Sequence, residues 1–172
     1  MRDLFAAAAA LVLLVIAASL GTTLTAFRRR RLRAREAEDA LGRIVLAEIP
    51  ADDDLRLFCE DTERFHYGSA SVAKEVIVAV RVLINGSPIA AYVSRRHPVD
   101  TSRQATSFED RPEGIARDRW DVAIETADGM MLVECGAIRE RVSQELARTV
   151  FDAVMRDMER RDHHSVSGTP PR

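Results

Sequence analysis

From Leu4 to Phe27 the chain runs for 24 residues without a charged side chain, and no other feature limits its folding options as tightly. At 1.5 Å rise per residue the run makes a helix of about 36 Å, enough to cross a hydrocarbon core of about 30 Å with some tilt. A cleavable signal peptide fits less well. Its basic region would be Arg2 beside Asp3 alone, the apolar stretch exceeds the usual ~7–15 residues, and no lipid-anchor cysteine follows. Arg28, Arg29, Arg30, Arg31, Arg33 and Arg35 come directly after the run. Such a cluster halts translocation, holds its own side in the cytoplasm by the positive-inside rule and suits anionic lipid head groups. The expectation is a single-pass protein of a bacterial inner membrane, N terminus outside and C-terminal domain cytoplasmic. In the second half of the span, small residues recur every four positions as Ala17, Gly21 and Thr25, and again as Ala18, Thr22 and Ala26. That spacing permits close helix packing in a membrane.

Beyond Arg35 the charge balance reverses. From Glu36 onward 18 Arg or Lys stand against 26 Asp or Glu, a formal charge of −8. A surface of that sign is repelled by phosphate backbones, so nucleic-acid binding is not expected. After the anchor, residues 1–35, the remaining length suits one modest domain, 36–161. A polar end, 162–172, carries His163, His164, Gly168, Pro170 and Pro171, and its composition predicts disorder.

Within the domain, Ala37, Ala40, Leu41, Ile44 and Val45 keep a helical period, so the anchor is expected to continue as a stalk helix ending near Ile49, before Pro50. Asp52, Asp53 and Asp54 suit the first turn of a further helix, with Leu55, Phe58, Cys59, Thr62 and Phe65 on one face; a short strand over Leu55–Cys59 is the alternative. From Val76 to Ile84 the period changes to two in a β-branched run. Asn85 and Gly86 supply the positive φ angles of a hairpin turn, and Ile89–Ser94 returns as the partner strand. A second hairpin joins Trp120–Thr126 to Met130–Cys135 through Ala127, Asp128 and Gly129. Between the hairpins lies Arg95–Asp118, a polar segment longer than ordinary connections. An amphipathic helix follows Gly136, with Ile138, Val142, Leu146, Val150, Val154 and Met158 on one side. The predicted class is α+β: a transmembrane helix continuing into a stalk, then a small antiparallel sheet of two hairpins packed by a C-terminal amphipathic helix.

Chemistry-bearing residues form few patterns. Asp121 lies on one strand of the second hairpin, Glu134 on the next, and a helix follows. This arrangement resembles that of restriction-endonuclease-like nucleases, whose implied chemistry is a divalent cation held by the two carboxylates beside a phosphate, with a lysine two residues after the glutamate. Here that position is Gly136, a departure that puts the activity in doubt. Cys59 and Cys135 with His66 or His97 could be drawn as a thiol pair or zinc site, but no two of them share a short turn as metal ligands usually do. Both cysteines read as small buried hydrophobes. Gly68, Gly86, Gly129 and Gly136 are isolated and form no phosphate loop. Trp120 and Tyr92 read as core or sheet-face residues. No metal, cofactor or small-molecule ligand is expected. The sequence favours a membrane-tethered module that meets the lipid bilayer and a protein partner, an accessory subunit of a membrane assembly. A degenerate, inactive hydrolase and a self-assembling scaffold are the alternatives.

Overall fold

Gly42 decides where the first helix stops. In the computed structural model of the chain, α1 runs unbroken from Arg2 to Ala40. Gly42 follows at φ +71°, a left-handed conformation that glycine adopts without steric cost. Its amide donates to the Asp39 carbonyl at 2.9 Å, and the Leu41 amide to that of Glu38 at 3.0 Å, closing the helix end. The structure describes residues 2–51, 54–96 and 119–166; the side chains of residues 2–11, 15–18, 20–24, 54 and 164–166 lie outside that description. Among the described residues no helix is long and apolar enough to cross a membrane, and most side chains of the uncharged run fall outside the described set. The chain divides into two compact units, Met1–Gly42 and Arg43–Arg172.

Beyond Ala40 the expected stalk is overturned. Ile44–Ala51 is strand β1, and the segment read as a second helix is strand β2, Asp54–Glu60, in keeping with the alternative of a strand over Leu55–Cys59, followed by β3, Arg64–Tyr67, and β4, Ala70–Ala73. The four strands form an antiparallel sheet in the order β1-β2-β3-β4. The apolar spacing from Ile44 to Ile49 fits either period over so few residues, and pairing with β2 decides it. Pro50 is tolerated because β1 is an edge strand of this sheet. On one face, Phe58 and Phe65 stack with ring centroids 5.6 Å apart. On the other, Cys59 stands opposite His66.

Both expected hairpins are present and join in a second sheet. Strands β5, Ile77–Ile84, and β6, Ser87–Val93, are linked by Asn85 and Gly86, while β7, Arg119–Thr126, and β8, Met130–Ala137, form the other pair. Asn85 has φ 51° and Gly86 φ 76°, the two positive angles that a twisted hairpin requires. Strands β5 and β7 pair antiparallel, giving the order β6-β5-β7-β8. A register shift between Ile77 and Ala79 explains why Ile77 shares the core with Val80 and Val82, which strict alternation forbids. Residues 97–118, most of the long connection, lie outside the described set.

Helix α2, Arg141–Val166, buries Ala147, Val150, Val154 and Met158 against both sheets in one core with Phe58, Phe65, Val80, Val122 and Val133. The apolar stripe begins a turn later than expected, since Val142 is 59% exposed. The helix also continues past Asp162, where the sequence predicts disorder, because Asp162 is buried and hydrogen-bonded.

Gly136 closes β8 at φ +112°, and a Cβ placed there would lie 2.6 Å from Ser143 Oγ. Gly136→Ala is therefore expected to destabilise the chain by about 2 kcal/mol. Adding Ser143→Ala should recover only the steric part of that loss. Urea titration followed by Trp120 fluorescence reads both; an unchanged midpoint would show that this bend does not need glycine.

Candidate functional site

Cross-strand pairing brings the two expected carboxylates together, because Asp121 and Glu134 are register partners across β7 and β8. The space between them is taken by a residue that the sequence reading passed over. Arg119 lies two positions before Asp121, the spacing that puts side chains on one strand face. Its Nε donates to Asp121 Oδ2 at 2.9 Å and its Nη1 to Glu134 Oε1 at 2.6 Å. The second Asp121 oxygen is also 2.9 Å from Arg119 Nε but is buried without a hydrogen bond. Arg56 approaches Glu134 at 3.7 Å and stands over the Tyr67 ring, whose hydroxyl donates to the Glu134 carbonyl at 3.4 Å. Burial pushes the Asp121 carboxyl above its ordinary pKa, outweighing the pull of Arg119.

This geometry is an ion-pair network in which a guanidinium sits where the nuclease pattern would need a cation. The lysine position of that pattern, Gly136, faces Ser143 too closely for any side chain. Among the described residues no group of three or more His, Cys, Asp or Glu could hold a metal ion.

The thiol candidates resolve differently. Cys59 and Cys135 are both free and buried, and burial pushes the Cys135 thiol up to about 12, so it is a protonated core group. His66 pairs with Asp61, Nε2 to Oδ2 at 2.7 Å. Asp61 Oδ1 accepts the amides of Glu63 and Arg64 at 2.8 and 2.7 Å, fixing the β2–β3 turn. The His66 hydrogen bond, followed by that turn, holds the Asp61 carboxyl at about 2. Lys74, the sole lysine, donates to Glu60 Oε2 at 2.9 Å and to the Asp61 carbonyl at 2.6 Å while covering the Phe65 ring. It lies in the 3₁₀ turn Lys74–Val76 that links the two sheets. His97 falls outside the described residues, as does the side chain of His164.

A second polar cluster fastens the end of α2. Asp162 accepts from Ser94 Oγ at 2.7 Å, the Arg95 amide at 3.0 Å and Tyr92 Oη at 3.1 Å, and Arg96 donates to the Arg161 carbonyl. A pocket of about 100 Å³ lies beside it, lined by Tyr92, Arg95, Glu159, Asp162 and His163. No sequence signal announces this cluster, since its two halves, Tyr92 to Arg96 and Arg161 with Asp162, are joined by contacts that span 65 or more residues. Trp120 directs its Nε1 to the Ile138 carbonyl at 3.5 Å and packs against the core.

No known protein family, curated protein or solved structure matches this chain. Of the positions that the sequence assigns to membrane contact as an expectation, Arg28, Arg29, Arg30, Arg31, Arg33 and Arg35 are exposed on α1, as is Thr25; the side chains of Ala17 and Gly21 lie outside the described set.

Arg119→Met leaves the Asp121 carboxylate buried and unpaired, which should cost about 3 kcal/mol at neutral pH. Protonation removes that charge, so the deficit should shrink as pH falls through the carboxyl range; a deficit independent of pH would refute the pairing role. Asp61 has the opposite sign. Its folded pKa is depressed from 3.8 to about 2, so its contribution is present above pH 4 and lost as pH falls toward 2. Asp61→Asn should remove that portion of the acid transition, read by circular dichroism from pH 5 to about 2.

Proposed function

We propose that this chain is a single-pass, membrane-tethered protein whose C-terminal α+β unit lies in the cytoplasm and binds a protein partner, as an interaction module or accessory subunit of a membrane assembly. The tether is supported by the 24 uncharged residues followed at once by six arginines on the same continuous helix. Partner binding is supported by the outer edge of β6. Strand β6 ends the second sheet, and among the described residues no backbone hydrogen bond links Ser87–Val93 to anything but β5. Edge strands usually carry charges that discourage pairing. This one has none over seven residues, in a chain of 30% charged residues, and it exposes Ile89 and Val93 at 55% and 39%. An extended segment of another protein can add to such an edge through main-chain hydrogen bonds.

The hydrolase alternative has only the Asp121–Glu134 pairing in its favour, and Arg119 donates a hydrogen bond to each of the two carboxylates. The experiment is gentle detergent extraction of tagged full-length protein and mass spectrometry of what accompanies it, alongside a version lacking residues 1–35 and an Ile89→Lys variant. A stoichiometric partner lost in Ile89→Lys, at unchanged thermal stability, is the expected result. A partner retained by that variant would remove the β6 edge from the account. Recovery of the chain alone would overturn the interaction reading, and recovery of further copies of itself would favour the scaffold.

A further inference from the structure

We infer that Arg28, Arg29, Arg30, Arg31, Arg33 and Arg35 form a collar that binds anionic phospholipid headgroups around the whole circumference of α1. The inference rests on the membrane-tether reading above. Because α1 is unbroken from Arg2 to Ala40, successive side chains turn by about 100°. Placed on that wheel, the six arginines leave no gap wider than about 100°. All six are exposed.

An amphipathic helix that lies in the plane of a membrane needs an apolar face opposite its cations. Over residues 28–35 only Leu32 and Ala34 are uncharged, which is too little for such a face. The segment is therefore suited to pass through the headgroup layer with cations on every side. The collar is also sharply bounded along the axis. Phe27 and the uncharged run lie immediately before it, and Glu36, Glu38 and Asp39 immediately after it. The arginines occupy about 10 Å of helix, close to the depth of one interfacial layer, roughly 5–8 Å. Deeper immersion would drag the three acidic residues into an anionic surface, and withdrawal would expose apolar residues to water. The ligand is thus a ring of several anionic headgroups, and the collar fixes the depth of the helix to within about one turn.

Full-length protein reconstituted in vesicles of phosphatidylcholine alone, or of phosphatidylcholine with one quarter phosphatidylglycerol, tests this. Flotation reports insertion, and native mass spectrometry after mild extraction reports which lipids remain bound. The expected result is flotation in both mixtures and retention of phosphatidylglycerol over phosphatidylcholine by at least about tenfold relative to the bulk ratio, each arginine contributing about fivefold. Substituting glutamine at all six arginines together should abolish the preference without preventing flotation, whereas lysine at the same six positions should keep it. Equal retention of the two lipids, or a glutamine variant that keeps its preference, would overturn the collar while leaving the tether standing. Failure to float in either mixture would overturn the tether and the collar with it.

Discussion

A single helix can cover only one face of a four-stranded sheet, and that limit governs the C-terminal unit. Helix α2 takes the face bearing Val80, Val122 and Val133, so the opposite face must find other company for its side chains. It does so with charge. Arg81 meets Glu125 at 2.8 Å, and Arg119 meets Asp121 and Glu134. Each pair is formed between neighbouring positions on one sheet face, where side chains come close enough to interact. The charges that first suggest chemistry thus solve a covering problem, keeping a buried carboxylate such as Asp121 from standing alone.

The same limit accounts for the difference between the two ends of that sheet. Strands β5 and β7 lie beneath α2, and β8 lies beside the first sheet through β1 and β4. Strand β6 lies outside this cover and is exposed over nearly all its length. Where the sheet runs past its helix, the hairpin with β5 and the Asp162 cluster at the strand's far end secure it among the described residues.

Legibility in the sequence followed the range of the interactions. The two hairpins could be read because a turn such as Asn85–Gly86 and alternation in β5 are local signals. The first sheet could not, because β1 and β2 carry apolar spacings that suit either period, and only their mutual pairing selects the strand. Arg119 was hidden for a related reason. A search for catalytic patterns singles out carboxylates, and the cation between them becomes visible only when register places Asp121 opposite Glu134. Asp162 depends on contacts with residues nearly seventy positions away, which no window along the chain can contain. The position of Gly136 was legible as a departure from the nuclease pattern, and the close approach of Ser143 supplies its physical reason.

Lys74 has a practical side that its place in the fold creates. It is the only lysine in the sequence, it is buried, and its ammonium is engaged by Glu60 and by the Asp61 carbonyl against the Phe65 ring. Reagents and enzymes that act on lysine side chains, including amine-directed crosslinkers and ubiquitin-type conjugation, find no accessible target in the folded C-terminal unit. The chain is thereby nearly silent to one of the commonest covalent chemistries of the cell, and mapping its neighbours will need probes aimed at carboxylates or at cysteines introduced for the purpose.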